Sequence, residues 1–166
     1  MKKLFLTLVI VFAGIFTANA QVWLGGSVST VMSKDTKSFE IAPEIGYSLT
    51  SVPLTFACAA DFVYIKSETP FREGTGLMLT PYIRYTIANV EKFSVAMDVM
   101  GQFGLMDAEG YRVGLRPIVA WMATKHWTAA FSVGFLGYDK MNYYDHGAFV
   151  LDFETAAPRF GLYYNF

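Results

Sequence analysis

At 166 residues, with 54% hydrophobic and only 16% charged side chains, the chain has room for one closed sheet but not for two independent cores, and it is short of charge for an ordinary soluble surface. Its formal net charge of -1 gives no basic footprint for nucleic acid. A lone cysteine, Cys58, excludes an intrachain disulfide and a thiolate metal cluster.

The chain opens with Lys2 and Lys3, an apolar stretch from Leu4 to Phe16 broken by Thr7 and Gly14, and then Ala18, Asn19 and Ala20 ahead of Gln21. A positive start, an apolar centre and small residues before a cleavage point are the three parts of a secretory signal. The stretch is short of the ~20 residues that a spanning helix needs. Residues 1–20 are therefore expected to be a signal peptide, with 21–166 as the exported domain. Loss of the two lysines leaves 11 basic and 14 acidic residues, a formal charge of -3.

From Val22 onward, segments of about ten residues with period-two character alternate with short polar clusters. The pattern predicts strands over 22–33, 39–48, 54–66, 76–87, 93–105, 111–123, 127–139 and 156–166. Eight is an even number, and each segment is long enough to cross an apolar core at a tilt of about 45°. Cys58, between Ala57 and Ala59 in the third of them, reads as a small packing residue.

Pro43-Ile45-Tyr47, Pro81-Ile83-Tyr85 and Pro117-Val119-Trp121 repeat proline, apolar and aromatic at alternate positions, and Pro158 begins a fourth copy through Phe160, Leu162 and Tyr164. The prolines are 38, 36 and 41 residues apart, about one hairpin each. Proline cannot donate to a ladder, so each copy predicts a local bulge or irregularity. If both termini share one rim, Tyr47, Tyr85, Trp121 and Tyr164 all reach it, and Phe56, Phe93 and Trp127 start the returning strands there. These residues, with Tyr47, Tyr85, Trp121, Trp127 and Tyr164 foremost, form an expected aromatic girdle on the periplasmic side. Turns at 49–53, 88–92 and 123–126 belong to that rim. Connections at 34–38, 67–75, 106–110 and 140–155 face outward, the last long enough to extend both of its strands.

Parity decides between a soluble and a membrane barrel. In the fifth strand Phe93, Val95, Met97, Val99, Phe103 and Leu105 oppose Ser94, Ala96, Asp98, Met100, Gln102 and Gly104; in the seventh, Trp127, Ala129, Phe131, Val133 and Phe135 oppose Thr128, Ala130, Ser132, Gly134 and Leu136. A soluble barrel would carry Lys and Glu on its polar face. Here that face is mostly Gly, Ala, Ser and Thr, which suits the crowded interior of eight strands and turns the large apolar set toward lipid.

The same parity places Glu44, Asp61, Arg84, Asp98, Arg116 and Arg159 inside, three acids against three arginines, with Arg112 near the outer end of the sixth strand. Such groups are expected to pair across the lumen as a polar plug. A narrow or gated ion path is the alternative, although eight strands leave little aqueous room. Asp35, Glu68, Glu73, Asp107, Glu109, Asp139 and Asp145, tempered by Lys34, Lys37, Lys66, Arg72 and Lys140, give the outer loops an acidic, solvated cast, without the ordered oxygen spacing of a calcium site.

Pro43–Tyr47 (PEIGY), Pro81–Tyr85 (PYIRY), Leu115–Val119 (LRPIV) and Phe160–Phe166 (FGLYYNF) resemble the small outer-membrane β-barrel family common in Bacteroides-type bacteria, related in architecture to OmpX and the OmpA membrane domain. The resemblance covers the whole exported chain. It implies an eight-stranded antiparallel up-and-down transmembrane barrel, inserted by the outer-membrane assembly machinery with Phe166 as the terminal assembly signal. It carries over no catalytic residue. The expected protein is a non-enzymatic outer-membrane monomer among lipids and lipopolysaccharide, serving envelope integrity or surface interaction, with no cofactor and no metal. Transport of small molecules through a narrow pore or a lateral opening is the alternative. A lipid A-modifying enzyme would need a nucleophile beside a base; His126 falls at a turn, and His146 beside Asp145 has no serine placed with it.

Overall fold

The computed structural model describes residues 20–32, 36–68, 71–106, 109–141, 147–152 and 158–166. The expected signal peptide, apart from Ala20, lies outside the described residues, as do Asp35, Asp107, Asp145 and His146.

Ten strands run in chain order: β1 (Ala20–Met32), β2 (Thr36–Leu49), β3 (Leu54–Glu68), β4 (Phe71–Val90), β5 (Phe93–Met106), β6 (Gly110–Met122), β7 (Trp127–Ser132), β8 (Phe135–Met141), β9 (Ala148–Asp152) and β10 (Arg159–Asn165). Each of β1 to β6 pairs antiparallel with the next. The terminal half of β6 then pairs with β7 and its far half with β8; β10 lies against β7, β9 against β8, and β10 pairs with β1 to close the ring. Taken as continuous staves, β7 with β8 and β9 with β10, this is a closed eight-stranded antiparallel β-barrel. The connection expected over 140–155 contributes strand at both ends, up to Met141 in β8 and as β9. Similarly, β3 and β4 consume most of the loop expected at 67–75, where Glu68 pairs with Phe71.

The turns on the terminal rim are tight. Val90 pairs with Phe93 across Glu91 and Lys92 alone, and Glu91 takes φ 52°, the positive φ that lets a two-residue turn match the right-handed twist of its flanking strands. After β6, the Thr124 hydroxyl accepts hydrogen bonds from the backbone N–H of His126 (3.2 Å) and Trp127 (3.0 Å), a local side-chain turn.

Two expectations about strand regularity are corrected. The prolines at 43 and 81 sit in unshifted ladders: β2–β3 pairing skips from Ile41↔Phe62 to Glu44↔Ala59, and β4–β5 pairing from Leu79↔Phe103 to Tyr82↔Met100, at constant register. Each proline faces its missing N–H toward the following strand, while its pair with the preceding strand, Gly26 or Cys58, is kept. The register shifts of β4–β5 lie elsewhere, at Leu77/Met78 and Thr86/Ala88. At Pro117 there is a true bulge, carried by the partner stave: pairing passes from Ile118↔Ser132 to Leu115↔Leu136, with one residue more between β7 and β8 than on β6. Gly134 sits there with φ 86°, a left-handed conformation that glycine adopts without strain.

That extra residue reverses parity beyond it. Phe135, expected outside, is 3% exposed and points into the lumen, whereas Leu136, expected inside, is exposed. Asp139, assigned to the outer loops, is fully buried in the lumen as a result.

Away from this bulge and the β4–β5 register shifts, inner and outer faces alternate. On β6, Tyr111, Val113, Leu115, Val119 and Trp121 are exposed while Arg116 and Ile118 are buried. The interior is bulkier than its small residues suggest: Trp23, Tyr82, Met100, Ile118, Phe135 and Tyr163 join its buried apolar cluster. Trp23 fits because its partner across the ladder is Gly46, where a Cβ would overlap the indole ring.

Candidate functional site

The polar lumen is built by register. Arg84 on β4, Asp98 on β5 and Arg116 on β6 are direct neighbours across two ladders, with side chains on the inner face. Fully buried Asp98 therefore receives both guanidinium groups: Arg84 Nε donates to Oδ1 at 2.7 Å and its Nη2 to Oδ2 at 3.1 Å, while Arg116 Nη2 donates to Oδ2 at 2.9 Å. Both arginines also stand over the Tyr82 ring, 5.2 and 5.4 Å from its centroid, in the range of cation–π attraction. Two cations on one carboxylate leave surplus positive charge in the middle of the barrel.

A second cluster lies nearer the far rim. Arg159 donates through Nη1 to Asp61 Oδ1 at 3.1 Å and through Nη2 to Glu40. Glu40 and Arg159 flank Ser29 on either side of β1, which brings them together. Asp61, buried completely, also accepts from the Thr80 hydroxyl.

Glu44 is the buried acid held by neutral donors: the hydroxyls of Ser27 and Tyr82 (2.7 Å), with Tyr163 Oη 3.4 Å away. Tyr163 stands edge-on to Trp23, ring centroids 4.8 Å apart.

A separate ion pair joins Arg112 to Asp139, adjacent across the β6–β8 ladder, with Nε at 2.8 Å and Nη2 at 2.5 Å from Oδ2. The Arg112 guanidinium lies 4.6 Å from the Phe135 centroid. The pair exists because the bulge at Gly134 turned both Phe135 and Asp139 inward.

All six residues named for the lumen, Glu44, Asp61, Arg84, Asp98, Arg116 and Arg159, are brought into these clusters. The balance of three acids against three arginines is corrected: among the described residues the network holds Glu40, Glu44, Asp61, Asp98 and Asp139 against Arg84, Arg112, Arg116 and Arg159. Glu40 and Tyr82 were legible, since they share the face of Glu44 and Arg84 two or four residues away. Asp139 was hidden by the parity change, for which Gly134 inside a strand was the available sign.

At the terminal rim the register pairs Tyr47 with Phe56, Phe93 with Trp121 and Trp127 with Tyr164, while Tyr85 lies opposite Leu54. Tyr85, Trp121 and Trp127 are exposed, and Tyr47 and Tyr164 half-buried. Tyr164 packs edge-on against Trp127 (5.2 Å) and Phe166 (5.1 Å), and Phe166 N–H donates to Val22 carbonyl at 3.1 Å, so the last residue is tied to the first strand. His126 stacks on Tyr164 with Nδ1 2.9 Å from the Asn165 carbonyl, a contact at the rim.

Cys58 faces outward between Ile45 and Pro81. Among the described residues no group of three His, Cys, Asp or Glu side chains is arranged to hold a metal ion. The chain matches no protein-family model and no curated protein sequence.

Proposed function

We propose that the chain is an integral outer-membrane barrel, exported by residues 1–20 and without enzymatic activity, whose ion-paired lumen acts as a structural plug. Its role is envelope integrity or contact at the cell surface. One observation carries the reading: the barrel is apolar outside and charged inside. Leu24, Ile45, Phe62, Ile83, Val99, Val119, Phe131 and Leu162, one on each of eight strands around the wall, are all exposed. In water this exterior would form one apolar patch far larger than the few hundred Å² that soluble monomers tolerate. In lipid it costs nothing, and closure of the sheet satisfies the backbone groups that a bilayer cannot.

The dimensions agree. Exposed apolar positions on β6 run from Tyr111 to Trp121, about 33 Å of strand and ~25 Å along the axis at a typical tilt, the height of a transmembrane apolar band. The girdle residues then lie at the periplasmic interface, where amphipathic rings are favoured. The resemblance of the proline-led segments and the terminal strand to small outer-membrane barrels supports the same assignment, as does Phe166 in the position of an assembly signal.

The test is electrophoretic. The mature protein, extracted from outer membranes in mild detergent, migrates as two species, one before and one after boiling. Coincident bands, with the protein recovered in the soluble fraction, would overturn the membrane reading. For the role itself, a strain lacking the protein is expected to leak periplasmic enzymes and admit bulky apolar antibiotics, or to lose a surface contact, with lipid A unchanged.

A further inference from the structure

The lumen is unevenly filled. At the terminal rim a vestibule of about 300 Å³ reaches inward to Arg84, Ile118 and Tyr163. Beyond the central ion pairs lies a pocket of about 80 Å³ walled by Arg112, Arg116, Arg159 and Glu40 among others. Between them is a void of about 10 Å³ that shares Arg84, Ile118 and Tyr163 with the vestibule, and Arg116, Arg159 and Ser132 with the pocket. The three spaces lie in one file from the terminal rim as far as Arg112, and its narrowest station has room for about one water.

Among the described residues the lumen as a whole holds five acids against four arginines, but it is the arginines that face this file, while Glu44 lies behind Tyr82 and Tyr163. Asp61, Asp98 and Asp139 are fully buried and line none of the three spaces, whereas the arginines they hold do. Each of these guanidinium groups thus stands between its carboxylate and the open space. Acid reaches the file at Glu40, itself paired with Arg159, and at Glu91 on the rim beside Lys92. Arg116, common to the void and the pocket, keeps its buried Nε–H without a hydrogen-bond partner. A buried donor left unmade is costly, and a water or an anion in the file would satisfy it.

We propose that the lumen is a passage for small inorganic anions of halide size, closed in this conformation by the layer of Tyr163, Ile118 and Arg116. The inference rests on the membrane reading above. Fixed cations inside a low-dielectric cylinder concentrate anions and exclude cations, so the arginines that stabilise the plug also set the sign of what passes once the layer is thinned. Tyr163 and Ile118 border both the vestibule and the void, so truncating either joins the two.

Planar-bilayer recording on the full exported barrel under a potassium chloride gradient tests this. Wild type carries no steady current. Tyr163→Ala carries one with a reversal potential of chloride sign, and so does Ile118→Ala, which removes no lumen hydrogen bond and serves if the first variant fails to fold. Adding Arg116→Gln to the conducting variant lowers the chloride-to-potassium permeability ratio by about tenfold. Flotation with vesicles is scored on the same samples. Wild type that does not float overturns the membrane reading; barrels that float and carry no current as either variant, or carry a cation-selective one, overturn the passage, and a steady wild-type current overturns its closure.

Discussion

Asp98 holds two guanidinium groups on its two oxygens while fully buried, so its replacement removes the counter-charge of both at once. Breaking a buried ion pair from one side costs about 3–5 kcal/mol because the remaining charge is left uncompensated. Asp98→Asn is therefore expected to lower the urea stability of the refolded barrel by that order, more than Glu40→Gln, whose loss leaves Arg159 its bond to Asp61. Equal effects would contradict the arrangement. At the opposite extreme of polarity, Gly46→Ala drives a methyl into the Trp23 ring, an overpacking cost of about 1–3 kcal/mol. Adding Trp23→Leu should restore most of it, whereas a glycine needed for backbone conformation would show no rescue. Period-two reading placed Arg84, Asp98 and Arg116 on one face because their strands are regular at those positions. It could not give the partners, since Asp98 meets both arginines only once the register of β4, β5 and β6 is fixed.

The bulge between β7 and β8 is the element on which the far half of the lumen depends. One residue inserted at Val133–Gly134 exchanges the two faces of β8, bringing Phe135 and Asp139 to Arg112 and sending Leu136 and Tyr138 outward. Uninterrupted alternation across 127–139 was the sequence expectation, and it failed for a physical reason: a period of two has no memory of an inserted residue, and only the glycine's left-handed φ marks where the phase slips. Single cysteines in a Cys58→Ala background can read this directly. A lipid-quenchable probe at position 136 should be strongly quenched by spin-labelled acyl chains and one at 135 should not; the reverse order would restore the unbroken strand. Gly134→Val, which forces a branched side chain into φ 86°, is expected to destabilise the barrel by about 1–2 kcal/mol and to weaken the Arg112–Asp139 pair. The prolines teach the complementary lesson. Their recurrence was plain in the sequence, but Pro43 and Pro81 need no bulge, because each forgoes a ladder bond toward the following strand while its pair with the preceding strand holds the register.

For the molecule as a whole, closure matters more than any one contact. Ten hydrogen-bonded segments make eight staves, and the β1–β10 ladder, Trp23↔Asn165 to Ser29↔Arg159, joins the first to the last. The strand count, the exposed apolar face and the place of the aromatic residues at one rim were legible because each rests on local alternation and on residues at strand ends. The split staves and β9 were not, since they depend on where a long connection folds back onto its own strands. Phe166 sits outside the closing ladder, held by its backbone bond to Val22 and its packing on Tyr164. Deleting it should reduce the yield of inserted barrel while leaving the stability of the inserted fraction nearly unchanged, and an unaltered outer-membrane yield would count against its role in assembly.

The central claim is that the outer face of this barrel is a lipid face. Trp121 and Trp127 are exposed on it and Trp23 is buried in the lumen, so tryptophan emission in vesicles with brominated acyl chains tests the claim most directly. Quenching of most of the emission in wild type, lost to a large extent in Trp121→Phe/Trp127→Phe, is the predicted result. Emission unchanged by the brominated lipid, with the protein left in the aqueous phase, would contradict it.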